Sequence, residues 1–480
     1  MRARLHKNIS HSLKERYSSI MQGLCLVLCL CFCTAQASAQ DISGYWQGVL
    51  HISKSDTLTI GMMVEWQGDS LSVVMDSPDQ YYMDIATTER DWHDSVLTWK
   101  VADIGASFSG RLSADGQRIT GTFQQGGKLP LTFERGHERT VMRRPQTPQP
   151  PYPYLEEEIR IKEKGGRYNL INGTLTLPAG TPKALVILIS GSGWQDRDES
   201  IMGHKPFRLL ADHLTRHGYA VFRYDDYPRA VFAKSTTLDF ADGVTMILDS
   251  FARREDLKHL PTGLLGHSEG SMVAEIVAAH DRRVDFVVTM GGVAQRPSDV
   301  LLYQLRAISE ADSTLTPNEI ENSVVLSARL YQALQKAKNE KEAAEILNHT
   351  WTQISERLTP DEQERYGFTP QRKAAAIQQL VSPWFFTFVQ FDPKPYIKKM
   401  RCPVLAIGGE KDLQVDATAN NTLFSKYLKK NPKHQFVIVP GANHLLQPCT
   451  TGSPNEYGKI EETMKTDVMD LITRWLENTL

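Results

Sequence analysis

The stretch Pro261-Thr262-Gly263-Leu264-Leu265-Gly266-His267-Ser268-Glu269-Gly270-Ser271-Met272-Val273-Ala274-Glu275-Ile276-Val277 decides how the chain is read. A short apolar run stops at Gly266, and after Ser268 apolar residues return as Met272, Val273, Ile276 and Val277, at helical spacing. The segment is therefore a strand, a tight turn and a helix. Its centre, Gly266-His267-Ser268-Glu269-Gly270, has the form G-x-S-x-G, in which the glycines admit a serine to a strained turn where strand and helix nearly touch. Ser268 is then exposed at a helix N-terminus, where free backbone N–H groups and the helix dipole favour a developing negative charge. Five letters also fit a plain glycine turn with a serine cap, so the neighbouring elements and a downstream base and acid have to decide.

On either side, strand and helix patterns alternate. Ala184 to Ile189 is a continuous apolar run of the kind buried on both faces of a parallel sheet. A helix from Phe207 to His217, a strand from Ala220 to Tyr224, a helix from Leu238 to Arg253 and a strand from Val284 to Met290 follow that pattern. Pro403 to Ile407 and Phe436 to Val439 complete the strands, and an amphipathic helix from Glu461 to Leu476 closes the chain. Two opening strands, Glu158 to Lys162 and Asn169 to Leu177, precede them. Residues 155–480 thus read as a doubly wound, mostly parallel α/β sheet. Residues 296–395, rich in Ala, Leu, Glu, Lys and Gln, interrupt it with helical runs near Asp299–Ile308, Pro317–Ala337 and Lys341–Leu358. An insertion at the C-terminal end of a sheet strand lies over the ligand side of such a sheet, so this one reads as a helical cap.

The front of the chain differs. Arg2, Arg4, Lys7, Lys14 and Arg16 precede an apolar segment from about Ile20 to Cys33, and Ala37-Ser38-Ala39 follows, which reads as a signal peptide over residues 1–39. The apolar run is shorter than the roughly 20 residues a membrane span requires, so cleavage is expected and no stable membrane insertion. The mature chain is then secreted or periplasmic and keeps 49 basic against 55 acidic residues, a net charge of −6, which argues against a nucleic-acid partner. Only Cys402 and Cys449 remain in it, read as free thiols. Residues 41–140 show short alternating runs such as Leu71 to Met75, Val96 to Trp99 and Ile119 to Phe123 between turn signals, the pattern of a small all-β sandwich or barrel. Trp46, Trp66, Trp92 and Trp99 form its core or, alternatively, a carbohydrate-stacking face. Residues 141–154, which include Pro145, Pro148, Pro150, Pro151 and Pro153, read as a stiff linker.

A serine hydroxyl is a poor nucleophile at its own pKa and needs a base to take its proton and an acid to hold that base. His444 lies in Pro440-Gly441-Ala442-Asn443-His444, directly after the last strand, where a loop brings an imidazole to the C-terminal edge of the sheet. Asp412 follows the strand before it, four residues past Gly408, and the order Ser268, Asp412, His444 is the one this catalytic arrangement takes. Glu410 and Asp416 compete for the acid's place, although Asp416 lies where a helix cap is expected. Ser190-Gly191-Ser192-Gly193-Trp194 follows the third strand, where Ser192 or Gly193 offers one oxyanion N–H and Glu269 the other. Trp194, Trp384 and Phe385 are the candidate substrate contacts, with packing of the insertion on the sheet as the alternative for the last two.

Gly191 to Glu199, Gly203-His204-Lys205-Pro206-Phe207, Arg223-Tyr224-Asp225-Asp226, the G-x-S-x-G turn, Gly409 to Val415 and Asn443-His444 together resemble the bacterial α/β-hydrolases of the EstD-type carboxylesterase, serine aminopeptidase-like group. The resemblance spans roughly residues 155 to 480, and exported members similarly carry a small β domain in front. Where members usually continue Tyr-Asp-Asp with Arg-Gly, this chain has Tyr227-Pro228-Arg229-Ala230. The resemblance implies a serine hydrolase that cleaves a small-molecule carboxylic ester through an acyl-enzyme, with no metal or organic cofactor. An amide or peptide hydrolase with the same three residues is the alternative, with Glu269, Asp196 or Asp198 holding a substrate amine. A non-catalytic glycan-binding protein on a hydrolase scaffold is a third. No pattern in the sequence speaks to the oligomeric state.

Overall fold

The computed structural model describes residues 41–53, 56–162, 170–312 and 314–480. The leader read over residues 1–39 lies outside them. The chain divides into two compact units, Met1–Val141 and Met142–Leu480.

In the first unit nine strands form one antiparallel sheet: β1 Gly44–His51, β2 Thr57–Gln67, β3 Ser70–Ser77, β4 Tyr82–Ala86, β5 Glu89–His93, β6 Val96–Val101, β7 Ala106–Leu112, β8 Arg118–Gln125 and β9 Gly127–Arg135, in the order β4-β3-β2-β1-β9-β8-β7-β6-β5. Alternation drives it: in β7, Ala106, Phe108, Gly110 and Leu112 face inward while the residues between them do not. The sheet curls until its far ends meet, and Arg90 of β5 donates from Nε to the Leu71 carbonyl of β3 at 2.8 Å. Trp46 and Trp99 are buried in the centre with Phe108 and Phe133, while Trp66 is exposed and Trp92 packs at the edge of the core. The four tryptophans therefore form no common stacking face. Asp76, fully buried, is held by Arg139 through two bonds of 2.7 and 2.8 Å.

The second unit is built on β10 Leu155–Ile161, β11 Ile171–Leu177, β12 Leu185–Ile189, β13 Ala220–Tyr224, β14 Thr262–His267, β15 Val284–Met290, β16 Val404–Gly409 and β17 Gln435–Val439, ordered β10-β11-β13-β12-β14-β15-β16-β17. From β13 onward neighbours run parallel, and β10 and β11 are antiparallel. The apolar run in β12 serves both faces: Leu185, Ile187 and Ile189 join one core, Val186 and Leu188 the other. Helices α1 Pro206–Arg216 and α13 Thr466–Thr479 cover one face, and α3 Thr237–Phe251, α4 Glu269–His280 and α12 Ala417–Tyr427 the other; the short α2, Arg229–Phe232, lies between β13 and α3. Between β15 and β16 the chain runs through α5 Pro297–Glu310, α6 Pro317–Lys336, α7 Glu340–Ser355, α8 Pro360–Tyr366, α9 Pro370–Leu380, α10 Pro383–Gln390 and α11 Lys394–Lys399. Thr316-Pro317, Thr359-Pro360, Thr369-Pro370 and Ser382-Pro383 open four of these helices, proline costing nothing at a position whose N–H has no intrahelical acceptor. Trp351, Leu334, Leu347 and Ile354 give this helical segment its own core.

Two expectations change. Residues 142–154 belong to the second unit and are fastened along it: Arg144 donates to the Met202 and Gly458 carbonyls at 2.7 and 2.9 Å, and Tyr154 to Asp212 at 2.8 Å. Proline content predicts stiffness, but these polar side chains, which satisfy loop carbonyls, turn the expected linker into a strap. The closing helix starts at Thr466 and not at Glu461, because the amides of Thr463 and Met464 bond to Gln146 Oε1 and that of Lys465 to the Leu446 carbonyl.

Arg139→Met is expected to lower the stability of the β unit by about 3 kcal/mol, since it strands a buried carboxylate. Urea unfolding followed by tryptophan fluorescence measures it, and a loss below about 1 kcal/mol contradicts that role for the pair.

Candidate active site

Ser268 lies between β14 and α4 with φ 52° and ψ −119°, a conformation that side-chain-bearing residues avoid unless their surroundings over-determine it. Here they do. A methyl group on Gly266 would lie 2.2 Å from the Gly270 carbonyl oxygen, and one on Gly270 would lie 2.2 Å from the Ile189 carbonyl oxygen. Strand, turn and helix are thus in backbone contact, and the Ser268 amide is tied to the Met290 carbonyl at 2.9 Å.

His444 follows β17, buried, and its Nδ1 is 2.7 Å from Asp412 Oδ2. The other Asp412 oxygen accepts from the amides of Gln414 and Val415, each at 2.8 Å, so the carboxylate is fixed in plane and height. With Nδ1–H donating to the carboxylate, Nε2 of a neutral ring keeps its lone pair. Gly291, with φ +56°, makes room: a methyl group there would lie 2.8 Å from His444 Cε1. The competing acids are occupied elsewhere, Glu410 by the Gly441 amide at 2.8 Å and Asp416 by the Ala419 amide at 2.9 Å as the cap of α12.

His267 shows why the two loops hold together. Its Nδ1 faces Glu199 Oε1 at 2.9 Å and its Nε2 faces the His444 carbonyl at 3.2 Å. Both partners are acceptors, an arrangement that favours the doubly protonated ring. Burial alone would lower its pKa, but the Glu199 carboxylate, the His444 carbonyl and Asp412 together outweigh it and the net direction is up. The same Glu199 oxygen accepts from the Gly191 amide at 2.8 Å. That amide is therefore spent, which leaves Ser192 as the donor this loop offers beside Ser268. The Glu269 amide, first in α4, has no intrahelical acceptor.

A cavity of about 360 Å³ is lined by Ser192, Ser268, Glu269, His444, Val300 and Trp384, among others. Three candidates lie elsewhere. Gly193 is outside the lining. Trp194 turns toward the loop after β13, donating from its indole to the Tyr227 carbonyl at 3.0 Å with the Arg229 guanidinium 4.2 Å from its ring centre. Phe385 packs against Tyr331 in the helical segment, while Phe388, one turn beyond Trp384, faces the cavity. Sequence pattern alone gives no individual role to the groups that shape the Ser192 loop. Asp226 accepts from the Gln195 amide at 2.7 Å, and Asp225 holds Arg197 at 2.6 Å.

Sheet order, nucleophile-type turn, and an acid and a histidine from the ends of β16 and β17 settle the architecture. The second unit has the fold of the α/β-hydrolases. No protein-family model matches the chain. It is similar to the esterase EstD of Thermotoga maritima, 25% identical over 361 residues, which cover 74% of this chain and 75% of that one. Among solved structures it is similar to a dienelactone hydrolase from Anabaena variabilis (17% identity, TM-score 0.39, 68% of this chain and 100% of that one). It is also similar to a lipase in its open form (18% identity, TM-score 0.40, 68% of this chain and 99% of that one).

Around this site, burial pushes the Asp226 carboxyl up to about 7; the Gln195 amide and Ser190 hydroxyl oppose the shift, and the Glu269 and Glu199 carboxylates add to it. Between the unfolded value near 4 and the folded value near 7, the native chain holds a proton that the unfolded chain releases. The contribution of Asp226 to stability therefore declines as pH rises through that window and is level above it. Urea unfolding of the wild type and of Asp226→Asn across this range should show the decline only in the wild type, and parallel curves would refute the assignment.

Proposed function

We propose that this chain is a serine esterase that cleaves small carboxylic esters through an acyl-enzyme. The observation that carries the reading is the 2.7 Å bond from His444 to Asp412 beside a strained Ser268 that shares its cavity. Ser268 Oγ attacks the ester carbonyl carbon as His444 Nε2 takes its proton. Asp412 stabilises the resulting imidazolium and holds its tautomer. The N–H groups of Ser192 and Glu269 donate to the oxyanion, each such donor contributing about 3 kcal/mol in the transition state. The tetrahedral adduct expels the alcohol, which takes the proton from His444. Water then adds to the acyl-enzyme with His444 as base, and the acid leaves as Ser268 recovers its proton.

The similarity to EstD supports an ester substrate. The helices between β15 and β16 act as a cap in this reading, contributing Val300, Leu301, Trp384 and Phe388 to the cavity. The amide-hydrolase alternative lacks a free anchor for an amine. Glu269 is engaged by Thr237 and Trp384, Asp196 by Ser200, and Asp198 by Arg223 and Lys205. The basic and apolar leader pattern over residues 1–39 supports export, so in this reading the enzyme works in the periplasm or outside the cell.

A fluorophosphonate probe should label the wild type at Ser268 and leave Ser268→Ala unlabelled and inactive. Asp412→Asn is expected to lower kcat on the order of 10³- to 10⁴-fold, because the ring loses its tautomer. Asp416→Asn should cost about 1 kcal/mol of stability at most and keep turnover. The opposite ranking of these two variants in a p-nitrophenyl acetate assay would remove Asp412 from its role.

A further inference from the structure

Glu269, the residue after Ser268, buries its carboxylate among neutral donors. Its Oε1 accepts from Thr237 Oγ1 at 2.6 Å and from Trp384 Nε1 at 2.9 Å, and its side chain is 3% exposed with the rest of the residue. Burial raises its pKa, and hydrogen bonds from Thr237, Trp384 and Ser192 pull it back. Trp384 belongs to α10, far along the chain. Its ring stacks on Phe388 with centroids 4.9 Å apart, and both rings line the cavity. One side chain therefore meets the substrate space with its face and the residue after Ser268 with its edge.

The strained φ at Ser268 persists only if it is held from both sides. Upstream, β14 is paired on both edges. Downstream comes Glu269, where a shift of the backbone would move the N–H that faces the oxyanion. Anchoring its side chain at Oε1 restrains that shift. Among the described residues the lining of the same cavity holds no lysine or arginine, both ring nitrogens of its His267 are already taken by Glu199 and the His444 carbonyl, and its two carboxylates, Glu199 and Glu269, are already bonded. A charged substituent on the substrate would lose its hydration there and gain no partner.

Resting on the serine-esterase reading, we propose that Trp384 both selects and positions: its ring forms the wall for the apolar acyl chain of an uncharged ester, and its N–H, through Glu269, holds the oxyanion donor in place. Acyl recognition and transition-state stabilisation thus meet in one residue of the cap.

The test compares wild type, Trp384→Phe and Trp384→Leu on p-nitrophenyl acetate, p-nitrophenyl hexanoate and the p-nitrophenyl monoester of adipic acid. Trp384→Phe keeps a ring and loses the donor, so kcat should fall about tenfold or more on both neutral esters with KM within about twofold. Affinity for a trifluoromethyl ketone, which forms the tetrahedral adduct, should fall by the same factor. Trp384→Leu should in addition raise KM for hexanoate but not for acetate. In the wild type, kcat/KM for the adipate monoester should lie about a hundredfold or more below that for hexanoate. Should Trp384→Phe fail to fold, Thr237→Val removes the other donor to the same oxygen and carries the same expectation for kcat. A Trp384→Phe enzyme with kcat within twofold of wild type, an unchanged inhibitor affinity, or equal use of the charged ester overturns the proposal while leaving the esterase reading intact. A wild type that turns over no ester and takes no fluorophosphonate at Ser268 overturns both.

Discussion

The second unit depends on how closely β14 and α4 approach each other. Gly266 and Gly270 face backbone oxygens across gaps that no side chain could enter, and the turn between them has one course open to it. That course puts Ser268 at positive φ, with its side chain at the edge of the sheet and at the start of a helix. The cost of the strain is met by pairing of β14 with β12 and β15 and by burial of Met272, Val273 and Ile276 beneath α4. Loosening the contact would relieve the strain and lose the geometry with it.

Around this turn the loops are fastened by acidic side chains, which is why so few of them are free to meet a ligand. Glu199 joins the Gly191 amide to His267, and His267 reaches the His444 carbonyl. Asp226 and Asp225 brace the segment from Gln195 to Arg197. Asp412 spends one oxygen on its own loop and the other on His444. Backbone N–H groups and the His267 ring satisfy the oxygens of these acids, although burial still disfavours the ionised form of Asp226. A count of acids near the cavity therefore overstates its negative character.

Much of this was legible in the residues. The apolar run Ala184–Ile189 announces a strand covered on both faces, and the offset of Asp412 from Gly408 separates it from Asp416, which does cap a helix. What escaped was direction. Trp384 and Phe388 are four residues apart and share a helix face, whereas Phe385 is rotated by about 100° from Trp384. That spacing could have excluded Phe385 from the cavity. Nothing local in the sequence tells that Trp194 turns toward Tyr227, since its partner is a backbone carbonyl supplied by another loop. The strap at residues 142–154 escaped for the same reason: its bonds go to groups distant along the chain, from Met202 and Asp212 to Gly458.

The position of the helical segment has a consequence for how such a site varies. β15 and β16 pair directly, Val287 opposite Val404, although more than a hundred residues separate them. Closing a longer excursion costs little more than closing a shorter one, because the entropy grows only with the logarithm of length. The segment can therefore change in size and packing while the sheet keeps its register. Ser268, Asp412, His444 and the Ser192 loop all come from strand ends, and the apolar wall comes largely from α5 and α10. The groups suited to chemistry and those suited to selectivity are thus encoded in separable parts of the chain. The bond from Trp384 to Glu269 crosses that division, and any replacement of the segment has to rebuild it or do without a restraint on the residue beside Ser268.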